Sequence, residues 1–276
     1  MSGPAAHHYV PQFVLRQFRN AHGQVDAYDK VTDRLLHVGA RVAAQSPGFN
    51  SDGGDDRLES ILAHQVDDSA ARAVRLLVEG AHPEQLTPDQ VLAVRRFAVV
   101  QISRGPYQRR LNPLLLAAEP RLKDLGHLEL GPDGSLTQAG QLSMISSLLQ
   151  SWFLTPPAKW RLAVVLSNTS DPNDVEFVIP DEGCTVFHPD LRSRGWVDAS
   201  LEEMSCVHVP VGPRHAVVLI NPDFDPLEAV PTSDQAQAAA WARAERYVYG
   251  RLTPDLLSRL RQLREPGYRP EGAVLP

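Results

Sequence analysis

The feature that most constrains this chain is the way its two hydrophobic periodicities are sorted into blocks. Two strand-like runs, QVDAYDK and LLHVGARVA, are joined by the turn VTDR. QSPGFNSDGGDD, residues 45–56, then reads as loop. From about 56 to 155 the period is helical: Leu58, Ile61, Leu62, Val66, Ala70, Ala73, Val74 and Leu77 fall on one stripe. TPDQ at 87–90 has the form of a capping box with Pro88 in the first turn, and that helix should stop before Gly105–Pro106. A further helix carries Leu142, Ile145, Leu149 and Trp152. After TPPAKW the pattern returns to strands in WRLAVVLSN, VEFVIP and CVHVPVGPRHAVVLINP. An alanine-rich helix is expected to run to Gly250 as its C-cap, with a last helix starting at TPDLL. Strands and helices in blocks predict an α+β fold rather than alternating βαβ units. It has an N-terminal helix and β-hairpin, a helical middle, a mixed or antiparallel sheet in the C-terminal half, and C-terminal helices. Residues 1–276 read as a single domain, with 1–55 plus 157–276 holding the sheet and 56–156 forming a helical lobe.

Several function classes are excluded early. No run of about 18 apolar residues is present, so no membrane-spanning helix is expected. MSGPAAHH lacks the basic and apolar regions of a secretory signal, and Cys184 and Cys206 lack CxxC spacing, so a cytoplasmic protein without a disulfide framework is expected. The net charge of −6 argues against a general nucleic-acid coat. Lysine is confined to Lys30, Lys123 and Lys159, so arginine carries almost all positive charge. A GC-rich bacterial genome would account for that bias. The arginines are nevertheless uneven: residues 91–112 hold five and no acid, and 241–264 hold six against Glu245 and Asp255. Such zones are solvated helix faces or sites for an anionic small molecule or nucleic acid, since the guanidinium fork binds phosphate and carboxylate bidentately.

The richest stretch chemically is AAHHYVPQFVLRQF, residues 5–18. Val10, Phe13, Val14 and Phe18 recur at helical spacing behind Pro11, so the helix should anchor the two histidines to the body of the protein. On an extended segment His7 and His8 point to opposite faces, a poor arrangement for joint chelation of one metal. One is expected to face a site while the other packs or hydrogen-bonds. An exposed N-terminal pair is the plain alternative. FVIPDEGC, residues 177–184, runs a strand straight into Asp181 and Glu182, where a carboxylate is held by scaffold yet reaches a cleft. A surface turn explains the same pattern. Arg104 sits where a helix breaks and either caps the last carbonyls or reaches forward to an anion. Arg16, on the polar side of the first helix, has the same two readings. No GxSxG elbow, GxGxxG or Walker loop is present.

These residues resemble a known family. HHYVPQFVLRQF is similar to the opening HHYVPQFYLRNF of the family called domain of unknown function 4238. The order continues: QVDAYDK resembles its strand ending in YDK, RLESILAHQ its acidic helix, and FAVVQISRGPYQRR its helix ending in arginine. FVIPDEGC resembles its FITSDNPV, HVPVGPRHAVVL its PLSP strand turn, and ARAERYVYG its closing helix. The resemblance covers roughly residues 7–250. It implies His7, His8, Gln12, Arg16, Arg104 and Asp181 as the shared polar set. The chain departs where the family's Ser-Asp-Asn-Pro becomes Pro180–Asp181–Glu182–Gly183, which puts Glu182 in the place of an asparagine.

The sequence therefore predicts a site in which His7 or His8 meets Asp181 as the catalytic pair, with Gln12, Arg16, Arg104 and Glu182 binding. Histidine, carboxylate and guanidinium suit hydrolysis of an anionic, for instance phosphodiester, substrate, with or without a divalent metal. Two other classes fit the same residues. One is a small-molecule enzyme of specialised metabolism using histidine acid/base chemistry without metal. The other is a non-catalytic binding module of a defence or toxin–antitoxin system.

Overall fold

The computed structural model describes residues 6–50, 56–106, 159–167, 176–187 and 204–262, with isolated positions between 129 and 143. The helix expected around Leu142, Ile145, Leu149 and Trp152 lies outside them. Strand β1 (Ala6–His8) leads into a short helix, α1 (Gln12–Leu15), continued as a 3-10 turn over Arg16–Phe18. Pro11 precedes the first turn in extended geometry, and Val14, Leu15 and Phe18 are buried. Strands β2 (Gln24–Asp29) and β3 (Arg34–Gly39) form the expected hairpin, with Asp29 opposite Arg34. The loop expected at 45–56 is in part a strand, β4 (Gln45–Pro47), paired with β1 so that His7 faces Ser46 and His8 faces Gln45. Three residues are too few to display an alternating pattern, which is why the sequence conceals this pairing.

The helical stripe divides into α2 (Arg57–Ile61), a π-helical turn (Leu62–Asp67) and α3 (Asp68–Val78). Leu58, Leu62, Val66 and Ala70, all buried, recur every fourth residue. At about 100° per residue, each such step overshoots a full turn by about 40°. The wider π turn absorbs that drift and keeps the stripe on the core. Helix α4 (Pro88–Arg104) starts as expected: Thr87 accepts from the Gln90 amide, Gln90 returns the bond, and Pro88 opens the first turn.

The strands that follow are β5 (Arg161–Leu166), β6 (Ile179–Pro180), β7 (Thr185–Phe187), β8 (Cys206–Gly212) and β9 (His215–Ile220). A short helix α5 (Pro226–Ala229) precedes α6 (Ser233–Arg243), which Thr232 and Gln235 cap reciprocally. The alanine-rich helix does not reach Gly250. Tyr247–Gly250 is instead strand β10, inserted between β2 and β6. Its Tyr-Val-Tyr sequence fits a pleated, half-buried surface better than a helix, and the open edge of β2 supplies the hydrogen bonds. Helix α7 (Pro254–Gln262) closes the described chain. Two four-stranded antiparallel sheets result, ordered β3-β2-β10-β6 and β5-β9-β8-β7. The fold is α+β. No described helix is long and apolar enough to cross a membrane, and both cysteines are free and buried.

One cluster of buried apolar side chains runs from Tyr9 and Leu15 through α3 and α4 to β8, β9 and Tyr249. A polar side chain is sealed in elsewhere: His208 on β8 is buried edge-on to Phe177 and Phe187, and neither ring nitrogen bonds another of the described residues. Burial lowers its pKa to about 4 from 6.5. The unfolded chain therefore binds a proton that the folded chain refuses between these values. The corresponding stability is complete above about pH 6.5 and is lost as the pH falls toward 4. Replacing His208 with Leu removes both ring nitrogens and is expected to stabilise the fold by about 1–3 kcal/mol. Urea unfolding of His208→Leu should have a flatter acid limb than wild type between pH 6.5 and 4. An unchanged limb would contradict this account of His208.

Candidate functional site

Extended backbone in β1 turns the two histidines to opposite sides, and each finds a different partner. The Asn50 amide donates to His7 Nδ1 at 2.9 Å, so Nδ1 is the acceptor nitrogen. The ring proton then resides on Nε2, 3.2 Å from the half-exposed carboxylate of Asp56. Asn50 also donates through its side chain to Glu59 at 2.7 Å. His7 thus pins β1 and the chain before α2 together.

His8 faces α1. Its Nε2 lies 2.7 Å from Gln12 Nε2, while Arg16 donates to Gln12 Oε1 at 3.0 Å. Arginine is only a donor, so the Gln12 oxygen must face Arg16 and the Gln12 amide nitrogen must face His8. Nε2 of His8 then accepts, and its proton sits on Nδ1. That atom is buried without a partner, on a residue only 7% exposed. Burial first, then the Arg104 charge and His7, lower the His8 pKa to about 4. His8 is accordingly a neutral imidazole near pH 7 whose Nδ1–H has no acceptor within the described protein. Its tautomer is set from the surface inward, by Arg16 through Gln12.

The last turn of α4 is the junction beneath this corner. Arg104 donates through Nε to the His8 carbonyl at 3.1 Å, and through one terminal nitrogen to both oxygens of Asp67 at 2.8 and 2.9 Å. Its side chain is 1% exposed. Burial raises the Asp67 carboxyl to about 6 against the pull of Arg104. The turn after β6 packs flush on the same helix end. A Cβ at Gly105 would collide with the Glu182 carboxylate and backbone, and one at Gly183 would lie 2.6 Å from Gln101 Oε1. Gly183 also has φ +76, so glycine is required there on two counts. Gln101, one turn before Arg104, is fully buried with both amide atoms unpaired.

The predicted residues therefore separate. His8, Gln12 and Arg16 form one hydrogen-bonded chain; Arg104 joins it through the His8 backbone, and Glu182 abuts Gly105. His7 lies on the other face of β1. Asp181 is engaged by backbone: it accepts from the amides of Glu245, Arg246 and Tyr247 at 2.8, 2.8 and 2.9 Å. Burial pushes its carboxyl up against those three bonds and the Lys30 charge. Among the described residues no direct hydrogen bond joins Asp181 to either histidine. Nor do three or more histidine, cysteine or carboxylate side chains converge there as metal donors. Gln101 and Asp67 belong to the junction and were not singled out in sequence. A lone glutamine within the apolar run RFAVVQISR is the signal that marks the first.

The class defined by this fold and corner is an α+β protein with a histidine-led, arginine-tied N-terminal motif. Residues 6–251 match the family described as "Protein of unknown function (DUF4238)", and the chain belongs to that family. No curated protein and no solved structure matches it.

Arg104→Lys cannot serve Asp67 and the His8 carbonyl together, and should cost about 2–3 kcal/mol. Asp181→Ala strands three part-buried amides and should cost about 1–3 kcal/mol. Urea unfolding at pH 7.5 checks both, and a loss under about 0.5 kcal/mol in either would contradict the assigned role.

Proposed function

We propose that the protein binds an anionic small molecule at the N-terminal histidine corner and hydrolyses it. One observation carries this reading: the buried Nδ1–H of His8, an oriented donor lacking an acceptor. An unmet buried donor costs about 1–3 kcal/mol, which a ligand oxygen would recover. A neutral imidazole aimed where charge develops stabilises an oxyanion without first giving up a proton. Arg16 is exposed, spends one contact on Gln12, and keeps the rest of its fork for the anionic group. In this reading the Gln12–Arg16 arm stays closed on Nε2, which keeps the His8 proton on Nδ1 for the ligand. Arg104 and Asp181 act as positioning and structural residues.

A second reading, a binding module without catalysis, is favoured by the engagement of Arg104, Asp67 and Asp181 in intramolecular bonds. The probe bis(4-nitrophenyl) phosphate separates the two. Wild type should release nitrophenolate with saturation, and His8→Ala should lose about 100-fold or more, the scale of one oxyanion donor. His8→Asn, whose amide nitrogen takes the place of Nδ1, should recover part of that loss. Saturable binding without turnover would favour the module, and neither binding nor turnover would overturn both readings.

A further inference from the structure

A separate cleft of about 450 Å³ opens where the end of the 3-10 turn meets the start of α7. Arg19, Asn20, Asp26, Arg251 and Thr253 supply its polar lining, with Ala21 and Leu252 as apolar wall. The hydrogen bonding of this lining is one-sided. The Asp26 carboxylate accepts from Asn20 and His37 on one oxygen, each at 2.8 Å, and from the Leu252 amide at 3.1 Å on the other. Asn20 Oδ1 already accepts from the amides of His22 and Gln24. The Arg19 carbonyl accepts from Arg251 Nε at 3.0 Å, and Thr253 Oγ1 accepts from the Leu256 amide. Every side-chain acceptor is thus occupied.

The donors are not. Among the described residues, the guanidinium of Arg19 has no partner, and Arg251 uses Nε alone, leaving both terminal nitrogens. The Thr253 hydroxyl hydrogen is also unspent. Two exposed guanidinium groups therefore share one cleft whose remaining side-chain capacity is chiefly donation. A ligand that complements it brings acceptors and negative charge. With the Asp26 carboxylate held on its own donors, the two guanidinium forks match the three oxygens of a phosphomonoester better than the two of a carboxylate or diester. The volume lies within the range of small-molecule sites and exceeds what a bare ion fills.

We infer that this cleft is a second site, which takes a phosphorylated small molecule with its phosphomonoester dianion between Arg19 and Arg251. The inference does not depend on the histidine corner, since the two places share no residue. Arg251, held by its bond to the Arg19 carbonyl, presents a preset fork; Leu252 and Ala21 offer contact to the organic part.

Isothermal titration of the full chain at low ionic strength tests it, with phenyl phosphate as probe and benzoate and dimethyl phosphate as competitors. Phenyl phosphate should bind saturably and at least about tenfold more tightly than either monoanion. Arg19→Ala and Arg251→Ala should each weaken it at least about tenfold, the scale of a lost charge-assisted contact. Arg251→Lys should not restore it. Both arginines are exposed, and far-UV circular dichroism verifies that the variants fold; Arg19→Gln and Arg251→Gln repeat the test should an alanine variant not. Absence of saturable binding, or affinity unmoved by the arginine substitutions, would overturn the site. Equal affinity for benzoate or dimethyl phosphate would overturn the assignment to a dianion.

Discussion

The structure around the N-terminus depends on where one buried guanidinium is satisfied. Arg104 ends α4 with its charge inside the protein, and a buried charge must be paired and hydrogen-bonded to be tolerated. It meets that demand with Asp67 from the π turn and the His8 carbonyl from β1. One side chain therefore fixes the N-terminal strand against two helical segments. The turn carrying Glu182 and Gly183 then closes on the same helix end because Gly105 and Gly183 have no side chains to hold it off. The π turn is part of this arrangement, since it keeps the apolar stripe inward and presents Asp67 to Arg104.

This constraint also sets the chemistry of the corner. With β1 held by Arg104 beneath and by His7 on its far side, His8 can reach only α1. The chain Arg16–Gln12–His8 transmits the one-way donor character of arginine into the choice of histidine tautomer. Burial and the nearby Arg104 charge keep the ring neutral. His8 is thereby suited to donate a hydrogen bond rather than to accept a proton, which departs from the general-base role that a His–Asp pairing would imply. Asp181 illustrates the same point from the other side. A carboxylate at a strand end has the appearance of a catalytic acid, yet here it gathers the amides that start β10 and so completes the first sheet.

Much of the fold was legible because periodicity and capping are local signals. The hairpin, the Thr87 capping box, the helix break before Gly105 and the β8–β9 hairpin all follow from a few adjacent residues. What stayed hidden is set by distant partners. β4 is strand only because β1 pairs with it, and β10 is strand only because β2 and β6 leave a place between them. The candidate site divided in the same way. The nearness of Arg16 to the histidines was readable, since it lies on the polar side of the first helix. The orientation of Asp181 was not, because sequence specifies a carboxylate but not which of several backbone amides surrounds it. Asp67 escaped notice for a related reason: an acid in a helical stripe has the look of a solvent-facing residue until its arginine is located.

The central claim is that His8 is held as a neutral imidazole with its proton on Nδ1. Nitrogen-15 imidazole spectra of histidine-labelled protein, with His8 assigned by comparison with His8→Asn, read this directly across a pH series. The account predicts a protonated Nδ1 and a bare Nε2 at pH 7, with double protonation delayed until about pH 4. Arg16→Ala should release the tautomer by freeing Gln12 to turn. A His8 ring carrying its proton on Nε2 at pH 7, or titrating near the ordinary 6.5, would contradict the account.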